Sequence, residues 1–222
     1  MKKRGKLRHI IIELGVHLPY SIFGVVIGIM IVGILTFFTT ILGVSHRLPG
    51  ASEELFHIFH PAHILLSALV TTAMFWKHER RFIKTLMIGF AGSIAICGAS
   101  DIFLPYLGGR MLGTDMHLHL CIVEHPRIII PFAAIGVAVG FLIPAAIEKS
   151  TEFSHSMHVL VSSMASILYL ISFGIPDWTR MIGAIFVITI VAVMLPCCLS
   201  DIVFPLSFID HKDHQGRGHT RA

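Results

Sequence analysis

Charged residues are scarce in this sequence of 222 residues. Asp, Glu, Lys and Arg together make up 14% of the chain, whereas hydrophobic residues make up 55%. Soluble domains carry about 25% charged residues, so this composition excludes an ordinary soluble fold. The formal net charge of +4 is concentrated at the chain ends and in short segments. That distribution indicates membrane topology and gives no support for a nucleic-acid partner.

Cysteines are also few, and one other residue type is in excess. Three of the four cysteines lie inside apolar segments, so no disulfide framework is predicted. The first apolar run is too long for a cleavable signal peptide and lacks a small-residue cleavage site. The chain has 15 histidines. Ionisable residues are costly within a bilayer, so this excess predicts a functional site.

Long apolar runs dominate the rest of the chain. They predict six transmembrane helices at 18–44, 55–76, 85–109, 128–147, 153–176 and 181–209, with a longer connection over 105–126. About 20 apolar residues cross the ~30 Å hydrocarbon core as a helix. Only helices or closed barrels satisfy their backbone hydrogen bonds in lipid, and continuous runs favour helices. The predicted fold is therefore an all-α integral membrane protein whose main surroundings are the lipid bilayer.

The distribution of Lys and Arg predicts the orientation. With six spans, both termini share a face with the segments 77–84 and 148–152. That face carries 13 of the 17 basic residues. Basic residues are enriched on the cytoplasmic side, so both termini are predicted to be cytoplasmic, in the cell or inner membrane.

An internal repeat divides the chain. The pattern H-x-x-H-[IV]-L-[LV]-S occurs at 60–67 and 155–162, and C-x-x-S-D-I-x-x-P occurs at 97–105 and 197–205. A weaker pair, G-V-x-x-G, occurs at 24–28 and 136–140. The three matches keep the same order, which predicts two three-helix repeats, 1–112 and 113–222, the second with a His-rich cytoplasmic tail. An odd number of spans per repeat requires inverted topology, as in many secondary transporters.

The repeated motifs predict two metal sites. Residues three or four apart share one face of a helix, so the His pair and the Cys/Asp pair of each repeat can converge. The predicted ligands are His60, His63, Cys97 and Asp101 about 10 Å below the external surface, and His155, His158, Cys197 and Asp201 near the cytoplasmic face. Ser67 and Ser162 are predicted to orient these ligands through hydrogen bonds. The N, O and S donors favour divalent Zn, Fe, Mn, Co or Ni.

A second set of side chains could add ligands or relay protons. Glu13 and His17 begin the first span at the level of the cytoplasmic site, and Glu124 and His125 begin the fourth at the level of the external site. The helix dipole alone also favours carboxylates at such positions. Four further histidines lie on the predicted external side: His46, His57, His117 and His119. Any single histidine could simply bond a neighbouring helix or face water.

These features favour a transporter of divalent transition-metal ions over an enzyme. Metal ligands must be deprotonated, so the same His and Asp side chains could couple metal movement to protons. An integral-membrane metalloenzyme, whether oxidoreductase or hydrolase, is the first alternative. A haem-binding membrane protein is the second. The sequence is also compatible with a homo-oligomer.

Overall fold

The computed structural model describes residues 2–142 and 151–207 of the chain. The described residues are helical apart from short connections and contain no strand, which confirms the predicted all-helical class. The predicted His-rich tail and the predicted span end at 143–147 lie outside the described residues.

Eight α-helices form the described structure. They are α1 (Lys2–Ile41), α2 (Leu48–His78), α3 (Phe82–Gly98), α4 (Leu104–Met111), α5 (Cys121–Glu124), α6 (Pro126–Leu142), α7 (Thr151–Phe173) and α8 (Ile182–Ser207). A π-helical turn, Ala99–Phe103, joins α3 to α4 without a break, and short 3₁₀ turns precede α2 and α8. The predicted connection over 105–126 is therefore wrong in its first part, because the helix continues to Met111 and the connection begins at 112.

Five helical segments among the described residues are long and apolar enough to cross a membrane. They are Leu18–Ile41, Ser45–Lys77, Phe82–Met111, Ser156–Phe173 and Trp178–Pro196. The remaining predicted span, the fourth at 128–147, corresponds to α6, an apolar helix of 17 residues over its described length. Such a stretch is near the lower limit for crossing the hydrocarbon core.

The helices run alternately between two ends of one bundle. We call the end with the connections 42–47, 112–125 and 174–181 the upper end, and the end with the connection 79–81 the lower end. At the upper end the connections are fastened to the helices: the His117 amide donates to the Phe173 carbonyl at 2.8 Å, and the Trp178 indole donates to Thr36 Oγ1 at 3.0 Å. The 112–125 connection is thereby held against α7.

Glycines let α6 approach α2 closely. A Cβ added at Gly140 would lie 2.6 Å from the Leu69 carbonyl oxygen, and one added at Gly136 would overlap the Leu65 carbonyl. Small residues at such positions allow close backbone packing between membrane helices. Gly24 and Gly28 of α1 likewise face α7, where an added Cβ would touch Val159 and Ile167 side chains respectively. The two glycine pairs therefore bring α6 close to α2 and α1 close to α7.

The π-helical turn leaves one carbonyl without a backbone donor. The Leu104 amide donates to the Ala99 carbonyl, one residue further back than in an α-helix. The next amide in that register would be at residue 105, which is proline and has no N–H. The Ser100 carbonyl instead accepts from Ser166 Oγ of α7 at 3.1 Å. This turn presents Asp101 to the interior, where it is fully buried.

Candidate functional site

Four ionisable side chains meet in the middle of the bundle, and we call them the central cluster: His60, His63, Asp101 and His158. None is more than 2% exposed. They come from α2, the π-helical turn and α7, and therefore from both of the predicted repeats. Burying ionisable groups at this depth is costly, and buried polar groups require partners.

Asp101 is the hub of the central cluster. Its Oδ2 lies 2.8 Å from His60 Nδ1 and 2.7 Å from His63 Nδ1. Its Oδ1 accepts hydrogen bonds from Ser100 Oγ at 2.8 Å and from Ser162 Oγ at 2.9 Å. The carboxylate therefore has four donors around it, which fixes both imidazole rings of α2.

The hydrogen bonds determine where the protons lie. An ionised carboxylate only accepts hydrogen bonds, so both Nδ1 atoms facing Asp101 carry a proton. Neutral His63 then has a lone pair on Nε2, which lies 2.8 Å from His158 Nε2. With both rings neutral, His158 Nε2 donates to His63 Nε2, and Nδ1 of His158 is left as an acceptor. That Nδ1 is buried and has no hydrogen-bond partner among the described residues.

The central cluster differs from the predicted pair of sites at separate depths. His63 and His158, assigned to different sites from the sequence, lie in direct contact. The reason is that α2 and α7 pack along each other and bring His63 and His158 to the same level. His63 and His158, one from each predicted repeat, therefore belong to one buried cluster. Metal binding by these residues stays a prediction.

The remaining predicted residues fall into three groups. Ser162 contacts Asp101 as described, and Cys97 is fully buried one turn before it. Ser67 is buried one turn beyond His63, and its Oγ has no hydrogen-bond partner within the described ranges. The side chains of five others lie outside the described part of the chain: Glu13, His17, His155, Cys197 and Asp201.

A second histidine group lies at the upper end, and we call it the triad: His57, His119 and His125. Each ring offers one nitrogen, and these three atoms lie within 4.8 Å of one another. His57 Nε2 and His119 Nε2 are 3.0 Å apart. The other nitrogen of His119, Nδ1, lies 2.9 Å from a carboxylate oxygen of Glu124.

The sequence interpretation placed Glu124 and His125 with His60, His63 and Asp101. The structure instead puts them with His57 and His119, about one helical turn nearer the upper end of α2. The spacing His57-x-x-His60-x-x-His63 was the signal that could have found His57. His119 carried no comparable signal, because its position depends on how the 112–125 connection folds onto α7.

Burial shapes the acid–base properties of the 112–125 connection. It lowers the pKa of His119, and the nearby Glu124 carboxylate only partly opposes this effect. Burial also raises the pKa of the Cys121 thiol to about 12, with the carboxylates of Asp101 and Glu124 adding to the shift. Cys121 is therefore a protonated, inert thiol at neutral pH.

Comparison with known proteins adds no family to this description. The chain matches no protein-family model, no curated protein and no solved structure. The function must therefore be argued from the residues themselves.

Proposed function

We propose that this chain is a membrane transporter of divalent transition-metal ions, with the central cluster as its buried ion site. The proposal includes six spans arranged as two inverted repeats and cytoplasmic termini. Two packing contacts support the repeat: the first helix of each half, α1 or α6, uses its glycine pair to pack on the second helix of the other half, α7 or α2. This exchange is what a pseudo-twofold axis in the membrane plane would produce.

The observation that carries the proposal is a polar face along α2. Five side chains follow each other at intervals of three or four residues: His57, His60, His63, Ser67 and Thr71. Such intervals keep them on one face of the helix. At 1.5 Å per residue they cover about 21 Å of the ~30 Å hydrocarbon core. Four of these side chains are buried in the bundle, and His57 is half-buried. A helix with a purely structural role in lipid would not require a row of buried polar side chains.

The lower part of this polar face carries two hydroxyl groups that lack hydrogen-bond partners among the described residues. Ser67 Oγ and Thr71 Oγ1 are buried, and neither has a partner among the described residues. Buried polar atoms without partners are rare and call for an explanation. A hydroxyl oxygen can accept a hydrogen bond from a hydrated ion or bind the ion directly. We infer that these hydroxyls continue the ion path beyond His63.

The donor chemistry indicates the class of ion. Imidazole nitrogens with a carboxylate suit Zn²⁺, Fe²⁺, Mn²⁺, Co²⁺ and Ni²⁺ better than Ca²⁺, which prefers oxygen ligands. Binding requires a deprotonated imidazole nitrogen, and His158 Nδ1 is a buried ring nitrogen with no hydrogen-bond partner among the described residues. An ion that binds in place of the protons of this cluster would couple metal movement to proton movement.

A metalloenzyme is the second candidate, and the triad is the observation that favours it. Three imidazoles leave one coordination position open on a tetrahedral ion, as hydrolytic zinc sites require. Purified protein with bound zinc would then hydrolyse an activated ester faster than metal-free protein. A Soret band in the same sample would point to haem instead.

Flux measurements in proteoliposomes test the transport proposal. We expect wild-type protein to carry Zn²⁺ or Mn²⁺ to a metal-sensitive dye inside the vesicles, with a pH-sensitive dye reporting proton movement. Asp101→Asn should reduce the rate to that of protein-free vesicles. Asp177→Asn, which alters an exposed carboxylate at the upper end, is the matched control and should keep the wild-type rate.

A second variant guards against misfolding of the first. Thr71→Val keeps the side-chain shape and removes a buried hydroxyl that has no hydrogen-bond partner among the described residues, so stability should not fall. The flux should fall about tenfold if the hydroxyl contributes ~1.4 kcal/mol to crossing the barrier. Equal flux in wild type, Asp101→Asn and Thr71→Val would refute transport along α2.

A further inference from the structure

We infer that the triad, His57, His119 and His125, is a metal site in its own right, of the three-imidazole class that binds Zn²⁺ or Co²⁺. This site goes beyond the proposed transport, since it holds an ion at the upper end whether or not the ion then moves. Glu124 would act as the carboxylate that orients one of the ligands. None of these four side chains belongs to the central cluster.

The distances between the ring nitrogens of the triad are near those around a tetrahedral metal ion. A tetrahedral zinc ion with Zn–N bonds of about 2.0–2.1 Å separates its ligand nitrogens by about 3.3 Å. In the triad, His57 Nε2 and His119 Nε2 are 3.0 Å apart, and the full set lies within 4.8 Å. A side-chain adjustment that changes the widest nitrogen–nitrogen distance by no more than about 1.5 Å would therefore seat a tetrahedral ion.

Glu124 fixes which nitrogen of His119 faces the ion. Its Oε2 lies 2.9 Å from His119 Nδ1, so that nitrogen carries the proton and Nε2 presents a lone pair to His57. The other oxygen of Glu124 accepts from the Leu120 amide at 3.3 Å, which holds the carboxylate in place. Carboxylate–histidine–metal arrangements of this kind are typical of zinc sites.

Aromatic packing makes the His119 ring rigid. It stacks on Phe173 with ring centroids 4.6 Å apart and planes 9° from parallel. The His119 amide also donates to Tyr169 Oη at 3.3 Å, and the same hydroxyl donates to the His117 carbonyl at 3.0 Å. A ligand fixed in advance loses little conformational entropy when it binds a metal.

Phe56 separates the triad from the central cluster. Its fully buried ring stacks on His60 at a centroid distance of 5.3 Å, and its edge approaches His119 at 6.3 Å. The two groups therefore do not share a ligand. Glu53, one turn before His57 on α2, joins Glu124 in making this end attractive to cations.

Cobalt binding by the purified full-length protein in detergent tests the site. We expect four-coordinate Co²⁺ with intense visible d–d absorption. His119→Gln should remove the part of this absorption that belongs to the triad, together with one equivalent of metal per chain in equilibrium dialysis. His117→Gln is the matched control, because it alters an exposed histidine of the same connection. It should leave both readouts unchanged. Circular dichroism verifies that each variant remains helical.

Two further variants make the test specific. His125→Gln changes a half-buried ligand and should also remove one equivalent, even if His119→Gln disturbs folding. Glu124→Gln should keep the spectrum but weaken binding by about 10- to 100-fold, since it removes an orienting group and no ligand.

The results distinguish the metal-site proposal from the transport proposal. Metal binding that depends on the triad, without flux in vesicles, would support the site and reject the transport proposal. Binding unchanged in His119→Gln and His125→Gln would overturn the site. Weak absorption typical of six-coordinate, oxygen-bound Co²⁺ would overturn it as well.

Discussion

His57 and His63 stand on the same side of α2, less than two turns apart, but their surroundings differ. His63 is fully buried, and both of its ring nitrogens are engaged, one with Asp101 and one with His158. His57 is half-buried at the upper end, where its Nε2 meets another histidine at 3.0 Å. The central cluster is organised around a carboxylate, whereas the triad is organised around three converging rings.

Because of this difference, the two groups should stabilise the fold under different conditions. Asp101 accepts hydrogen bonds from α2, from its own turn and from α7, so the central cluster ties three elements together without any ion. The triad has no carboxylate at its centre, because Glu124 lies behind His119. We therefore expect the central cluster to contribute to stability in the absence of metal, and the triad to contribute mainly when metal is bound.

Matched substitutions on α2 would test this comparison with the largest expected effect. His63→Gln should lower the free energy of unfolding by about 1–3 kcal/mol, because a partner of Asp101 or His158 is left buried and unsatisfied. His57→Gln should change the free energy of unfolding of the metal-free protein by no more than about 0.5 kcal/mol. Substitutions at most partly exposed positions have effects of this size. Unfolding in mixed detergent micelles, followed by circular dichroism with a chelator present, measures both values.

The comparison holds if His63→Gln loses more stability than His57→Gln. Equal losses would show that the two histidine groups stabilise the bundle alike, and the comparison would fail. Adding Zn²⁺ after removing the chelator should raise the unfolding midpoint of wild type more than that of His57→Gln.

Glycine packing against α2 provides the next test, with an effect of about 1–3 kcal/mol. Gly140→Ala would bring a methyl group 2.6 Å from the Leu69 carbonyl, so α6 must move away from α2. Gly15→Ala is the control, since an added Cβ there meets nothing within 4 Å. The same unfolding measurement should show a loss only for Gly140→Ala. If Gly140→Ala is as stable as wild type, the close approach of α6 to α2 is not present in the membrane protein.

Part of this arrangement follows from the sequence because it is local. The long apolar runs predict the helices, and three-residue spacing predicts that His60 and His63 share a face. The repeated S-D motif identified Asp101 as an interior carboxylate from the cost of burying it. These inferences need no knowledge of which helices touch.

The rest depends on contacts between distant segments. His63 and His158 meet because α2 and α7 pack side by side at that level, which no residue pattern within one helix specifies. His119 reaches His57 only because the 112–125 connection is fastened to the end of α7. The support of Ser100 by Ser166 likewise follows from the π-helical turn, where proline denies the carbonyl its backbone donor.

The hydrogen bond from Ser166 to the Ser100 carbonyl predicts the smallest loss of stability among these substitutions. Ser166→Ala leaves the Ser100 carbonyl without its hydroxyl donor and should cost about 1 kcal/mol in unfolding free energy. Ser172→Ala is the control on the same helix, because Ser172 Oγ only bonds the carbonyl of Leu168 one turn earlier, which already lies in helical register. A loss for Ser166→Ala alone would show that α7 stabilises the turn that holds Asp101. Equal, negligible losses would mean that the turn keeps its geometry without the Ser166 hydroxyl.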